Sequence, residues 1–180
     1  QKRLGEHLRK IKDEEGKYAM YDAMKRISPK FYEIINGENG LMKSDNQTNV
    51  VYSKRIDKEA GLNTMMEMMK VMIQETENKD TENDNAFKEY NPDIAKEKGV
   101  KYFAYLDSSK KSYEKIKNIF NNVRFDASGA EVPMEEGDKD YNKMGDRIHT
   151  LFITGSSSEG ITLKNVRNLH IVEHHWNENR

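Results

Sequence analysis

The 180-residue chain has no cysteine, which excludes disulfides and thiolate metal sites and fits, without requiring, a reducing compartment. It also lacks any long apolar run. Its longest hydrophobic stretches are a few residues, far short of the roughly 20 that a bilayer-spanning helix needs, so no membrane partner is expected. Net charge is nearly absent, at -1, so any attraction for a polyanion has to come from local patches. There is no GxxxxGK[ST] loop, no GxGxxG and no GxSxG, so a self-contained nucleotide site or a hydrolase elbow is not expected. Nor is there an internal repeat. The chain opens on Gln1 with no charged-then-apolar leader, and the expectation is an excised or processed piece of a longer protein.

What is present is polar: 35% hydrophobic residues against 34% charged, with a mean hydropathy of -0.99. The length suits one domain with a modest core and long solvated loops. Leu4 to Tyr21, with Leu8 and Ile11 near helical spacing, predicts a solvated helix. Ser28-Pro29 reads as an N-cap with proline at the first helical position, ahead of the stripe Phe31, Ile34, Ile35 and a stop at Gly37 and Gly40. Asn49–Ser53 (NVVYS) predicts a buried strand. Gly61–Gln74 predicts a helix whose methionines pack a core. Glu75–Glu89 (ETENKDTENDNAFKE) reads as a mobile acidic surface loop. Lys101–Asp107 predicts a second strand, and Ser108-Ser109 a cap on a helix from Lys110 to Asn122. Asp126–Asp146 reads as an inserted loop carrying Glu131, Glu135, Glu136, Asp138, Asp140 and Asp146. His149–Thr154 predicts a strand, Gly155–Gly160 a turn, and Asn168–Glu173 a last strand. This alternation points to the α/β class with a mostly parallel sheet flanked by helices and polar loop insertions.

Ligands of open parallel sheets bind beyond the carboxyl ends of the strands. Three such ends are legible: Ser53-Lys54-Arg55, Asp107-Ser108-Ser109 and Thr154 to Gly160. Turns of small residues let backbone N–H groups approach phosphate oxygens, and Lys54 and Arg55 add charge. The same pattern also describes an ordinary βα turn. The five histidines prompt a metal check, but Glu173, His174, His175 and Glu178 match no zinc spacing, so no metal site is expected. Trp176, the single tryptophan, is a packing anchor or a base-stacking surface. Ser156, Ser157 and Ser158 lack the His–Asp pattern of a triad.

Leu151 to Arg180 (LFITGSSSEGITLKNVRNLHIVEHHWNENR) resembles motif V and the approach to motif VI of superfamily 2 helicases. It is especially similar to the DEAD-like helicases of large DNA viruses (poxvirus, asfarvirus and mimivirus types) and to related Snf2-like ATPases. Asn49–Ser53 resembles their motif IV strand, and Tyr105-Leu106-Asp107-Ser108 with the helix ending at Phe120-Asn121 resembles their next strand and helix. Ser28 to Phe31 resembles the short helix entering the second lobe. The resemblance implies a RecA-like lobe over residues 27–180, cut before motif VI, with residues 1–26 as a helical lead-in.

It further implies that Ser53 and Lys54, and Thr154, Gly155 and Ser156, contact the backbone of DNA or RNA. Glu159 and Gly160 would face the interlobe cleft, while Asn165 and Arg167 would be structural. ATP and Mg2+ belong to the parent protein, bridging this lobe and a missing first lobe, and the fragment alone would bind neither and turn over nothing. The host cytoplasm, or a virion, is the compartment that the viral likeness implies. Two rival readings share these residues: an ATPase that remodels complexes without unwinding, and a non-enzymatic α/β interaction domain.

Overall fold

A computed structural model describes residues 2–54, 62–73 and 87–172. The chain divides into two compact units, one of Gln1–Asp45, Ser53–Asn85 and Val172–Arg180, the other of Asn46–Tyr52 and Ala86–Ile171.

The first unit is helical: α1 (Lys2–Glu15), α2 (Lys17–Ile27), α3 (Pro29–Asn36) and α4 (Leu62–Ile73). The single helix expected from Leu4 to Tyr21 is instead two. Gly16, at φ 90° and ψ 175°, breaks it in a conformation L side chains avoid. Its N–H closes α1 on the Lys12 carbonyl, and its own carbonyl opens α2 by accepting the Met20 N–H. Leu8, Met20 and Met24 are fully buried. Pro29 stands in the first turn of α3 as expected, but the Ser28 hydroxyl makes no capping bond; its carbonyl accepts the Tyr32 N–H instead. Phe31, Ile34 and Ile35 form the buried stripe. Beyond α3 the chain folds back so tightly that a Cβ on Gly40 would stand 2.8 Å from both the Gly37 nitrogen and the Ile35 oxygen. In α4, Leu62, Met65, Met66, Met68, Met69 and Val71 are buried, so these methionines are core.

The second unit carries a five-stranded sheet of β1 (Asn49–Ser53), β2 (Phe87–Glu89), β3 (Lys101–Tyr105), β6 (Thr150–Thr154) and β7 (Asn168–Ile171), in the order β2-β3-β6-β1-β7. The β2–β3, β3–β6 and β1–β7 ladders are parallel, with Tyr105 level with Phe152 and Val50 level with Leu169. Helix α5 (Tyr113–Phe120) lays Ile119 and Phe120 on one face, among Val50, Ala104, Leu106, Leu151 and Ile153. Near-continuous burial along β3 and β6 is what parallel strands covered on both faces require. The fold is α/β with a mostly parallel sheet and is consistent with a RecA-like lobe, as expected. Among the described residues, no helix is long and apolar enough to cross a membrane.

Several local expectations change. The acidic tract Glu75–Glu89 ends not in loop but in the edge strand β2, because Phe87 is buried and stacks on Phe103 at 5.5 Å; residues 74–86 lie outside the described residues. Asp126–Asp146 is not simply a loop. It completes a hairpin of β4 (Val123–Phe125) and β5 (Glu131–Pro133), with Phe125 opposite Glu131. The Asp126 carboxylate closes that turn by accepting the Ser128 and Ala130 N–H groups. Helix α5 starts at Tyr113 rather than Lys110, and Ser108-Ser109 do not cap it. Ser109 instead donates both its N–H and its hydroxyl to Asp107 Oδ1, which makes a separate turn. The segment Gly155–Gly160 opens with a helical turn, α6 (Gly155–Ser158), and β7 ends at Ile171 rather than Glu173.

Candidate nucleic-acid interface

Strand β6 carries Thr150 to Ile153 in the core and brings Thr154 half-exposed to its carboxyl end. There a reciprocal cap forms. The Thr154 N–H donates to Ser157 Oγ at 2.9 Å, while the Thr154 hydroxyl caps the turn from the other side. Ser157 is buried and engaged in this cap. Thr154 Oγ1 also lies 3.1 Å from Ser156 Oγ, and Ser156 is exposed. Small hydroxyl residues are needed here because each closes the turn through its own side chain. The consequence is a turn tied by its own hydroxyls, with Ser156 its exposed member. Glu159 and Gly160 follow, both exposed, with Gly160 at φ 70°.

Neighbouring strand β3 ends at Tyr105, level with Phe152, and Leu106 beyond it donates its N–H to the Phe152 carbonyl, so the Asp107 turn leaves the sheet at the same carboxyl side as the end of β6. The Ser109 hydroxyl and N–H hold the Asp107 carboxyl below the usual carboxylate range, with Lys110 adding to the effect.

Thr154, Gly155, Ser156, Glu159 and Gly160 are therefore brought together on one segment. Ser53 closes β1 with its side chain buried, and Lys54 beyond it is exposed; both are assigned to the first unit. Arg55, Glu173, His174, His175, Trp176 and Glu178 lie outside the described residues.

The opposite edge of the sheet holds polar chemistry that the sequence did not announce. Asn142 is fully buried and accepts the Arg147 and Ile148 N–H groups at 2.8 and 2.7 Å. Asn165 donates to the Phe120 and Asn142 carbonyls, a structural role as expected. Asn121 and Asn122 tie the end of α5 to Thr162 and Met134. Asn121, Asn122 and Asn165 line an open cavity of about 450 Å³ with Val123, Met134 and Tyr141, but they already hold backbone partners. An Asn-rich loop gives no sequence sign of such a hub, because its partners are backbone groups distant in the chain.

The buried pair Asn49 and His149 was likewise missed. Asn49 Nδ2 donates to the Gln47 and His149 carbonyls, which fixes the amide's orientation, and it meets His149 Nε2 at 3.3 Å. The other ring nitrogen, Nδ1, lies 2.8 Å from Thr150 Oγ1. Asn49 Oδ1 accepts from Asn168 and faces His170 Nε2. Both histidines serve the sheet. Among the described residues there is no group of three or more His, Cys, Asp or Glu side chains suited to a metal. Arg147 is buried, stacked on Tyr90 at 5.2 Å and 3.8 Å from Asp140.

Compared with protein-family models, with curated proteins and with solved structures, the chain matches none.

Proposed function

We propose that this chain is the second motor lobe of an ATP-dependent helicase or translocase, gripping the sugar-phosphate backbone of DNA or RNA through the turns at the carboxyl edge of its sheet. One observation carries the reading: the segment LFITGSSSEG, which resembles helicase motif V, is a buried parallel strand ending in a turn tied by its own hydroxyls, with Ser156 exposed. The parallel α/β architecture supports it, since open sheets of this kind bind ligands at that edge.

In this reading Ser156 Oγ donates to a phosphate oxygen, while the Thr154–Ser157 cap holds the turn so that no ordering cost falls on the binding step. Lys54, exposed after β1, supplies a second, independent phosphate contact. Such contacts carry no base identity, so binding is indifferent to sequence and sensitive to salt. Glu159 and Gly160, directly after the gripping turn, connect it to the cleft where a first lobe would close.

The sequence has no phosphate-cradling glycine loop with its lysine, so in this reading ATP and Mg2+ are held by the first lobe.

The test is binding of the full chain to labelled oligo(dT) and oligo(U) by fluorescence anisotropy over a salt series. Ser156→Ala is expected to weaken binding about fivefold to tenfold, as for loss of one hydrogen bond to a charged group. Lys54→Ala is expected to lower the slope of log affinity against log salt by about 0.7. Absence of any binding at low salt refutes the proposal, and so does an unchanged affinity in both variants.

A further inference from the structure

The second unit distributes charge unevenly along the strand axis. After β3 the chain runs Asp107 to Lys117 (DSSKKSYEKIK), four lysines against two carboxylates. Lys110 and Lys111 stand exposed in the turn, and Lys115 is exposed in the first turn of α5. Glu114 is engaged by Lys117 at 2.7 Å, and Lys110 contributes to holding Asp107 ionised. Lys111 and Lys115 form no ion pair among the described residues, so this turn keeps a positive surplus.

At the other edge the balance reverses. Asp126 to Asp140 holds six carboxylates and a single lysine, Lys139; Glu131, Asp138 and Asp140 pair with Lys164, Arg124 and Arg147, which leaves a smaller negative surplus. This loop follows the far end of α5, where Met134 donates its N–H to the Asn122 carbonyl and Asn122 Oδ1 accepts the Asn142 N–H. It leads into Ile148 and the start of β6. A five-residue strand separates the two edges by about 16 Å, at roughly 3.3 Å per residue. That is about twice the screening length of roughly 8 Å at physiological ionic strength. The acidic loop therefore does not cancel the lysines locally, and a polyanion meets attraction at one edge and repulsion at the other.

We propose that Lys110, Lys111 and Lys115 extend the phosphate-gripping edge beyond the Thr154–Ser156 turn, so that one single strand of nucleic acid runs across the ends of β6 and β3. The proposal rests on the reading of this edge as a nucleic-acid grip, and names residues that the motif resemblance does not supply. Geometry supports the continuity: β3 and β6 are parallel neighbours in the sheet, and Tyr105, the last residue of β3, is level with Phe152, two residues before the end of β6. The acidic loop on the far edge sets the side from which the strand approaches.

The experiment compares the full chain with the triple variant Lys110→Ala/Lys111→Ala/Lys115→Ala and with Ser156→Ala, on oligo(dT) and oligo(U), across a salt series. All three lysines are exposed, and circular dichroism checks that the variant is folded. The triple variant is expected to bind at least tenfold more weakly at low salt, with its salt slope lowered by about 2, for three single-strand phosphate contacts. Lys139→Ala/Lys143→Ala at the acidic edge is expected to leave the slope unchanged. If the triple variant keeps the wild-type slope while Ser156→Ala weakens binding, the lysine track is refuted and the grip at β6 stands. If the triple variant loses affinity and Ser156→Ala does not, the track stands without the turn. If the wild-type chain binds neither oligonucleotide, both are refuted. A preference between oligo(dT) and oligo(U) identifies which nucleic acid supplies the phosphates.

Discussion

Replacing Asn142 with alanine should be among the most damaging single polar changes in this protein. Its side chain is fully buried, and one oxygen accepts two backbone N–H groups, those of Arg147 and Ile148, at 2.8 and 2.7 Å. Its amide nitrogen donates to the Ile148 carbonyl at 3.2 Å. Alanine would strand both N–H groups in the interior, and each unsatisfied buried donor costs about 1–3 kcal/mol. Allowing for partial relaxation, the loss should be about 3–4 kcal/mol, a large share of the roughly 5–15 kcal/mol that holds a domain together. Asn142→Asp separates the donor role from the acceptor role. It keeps the acceptor but turns an oxygen toward the Ile148 and Phe120 carbonyls, so it should destabilise by a comparable amount. The measurement is urea unfolding of the full chain, with hydrogen exchange at the Arg147 and Ile148 amides. A loss under 1 kcal/mol for Asn142→Ala, or unchanged protection of those two amides, would refute the reasoning.

Gly40→Ala should destabilise by about 2 kcal/mol or more, because its Cβ would stand 2.8 Å from backbone atoms of Ile35 and Gly37 that have no flexible end to yield; a thermal midpoint equal to wild type would count against that packing. Burial holds the His170 imidazole below its ordinary 6.5. The unfolded chain therefore takes up this proton first on acidification, so the contribution is complete above about pH 6.5 and is lost as pH falls through the lowered folded value. Urea midpoints of the wild type should fall across that window more steeply than those of His170→Gln, and parallel curves would discount His170.

Much of the fold was legible because it is local. The alternation of short apolar runs with helical stripes marked every strand of the sheet except β2, and Pro29 and Gly37 bounded α3 as read. Failures came where one specific side-chain contact overrode composition. Phe87 sits in an acidic, polar tract that reads as loop, yet its stacking on Phe103 makes an edge strand. Ser108-Ser109 has the composition of a helix cap, but Asp107 claims Ser109 first and moves the helix start to Tyr113. The hairpin of β4 and β5 was hidden because its turn is closed by a carboxylate, in a stretch whose charges suggest only solvent.

By itself the sequence determined the α/β class, the buried methionine helix and the hydroxyl-rich turn after β6, since periodicity and small-residue turns act over a few residues. Only the tertiary structure decided which strands are neighbours, and so which turns share an edge. Strand order depends on crossovers between distant segments: it sets β3 beside β6, with Tyr105 level with Phe152, and the tertiary fold gathers Asn142, Asn122 and Asn165 into one hub.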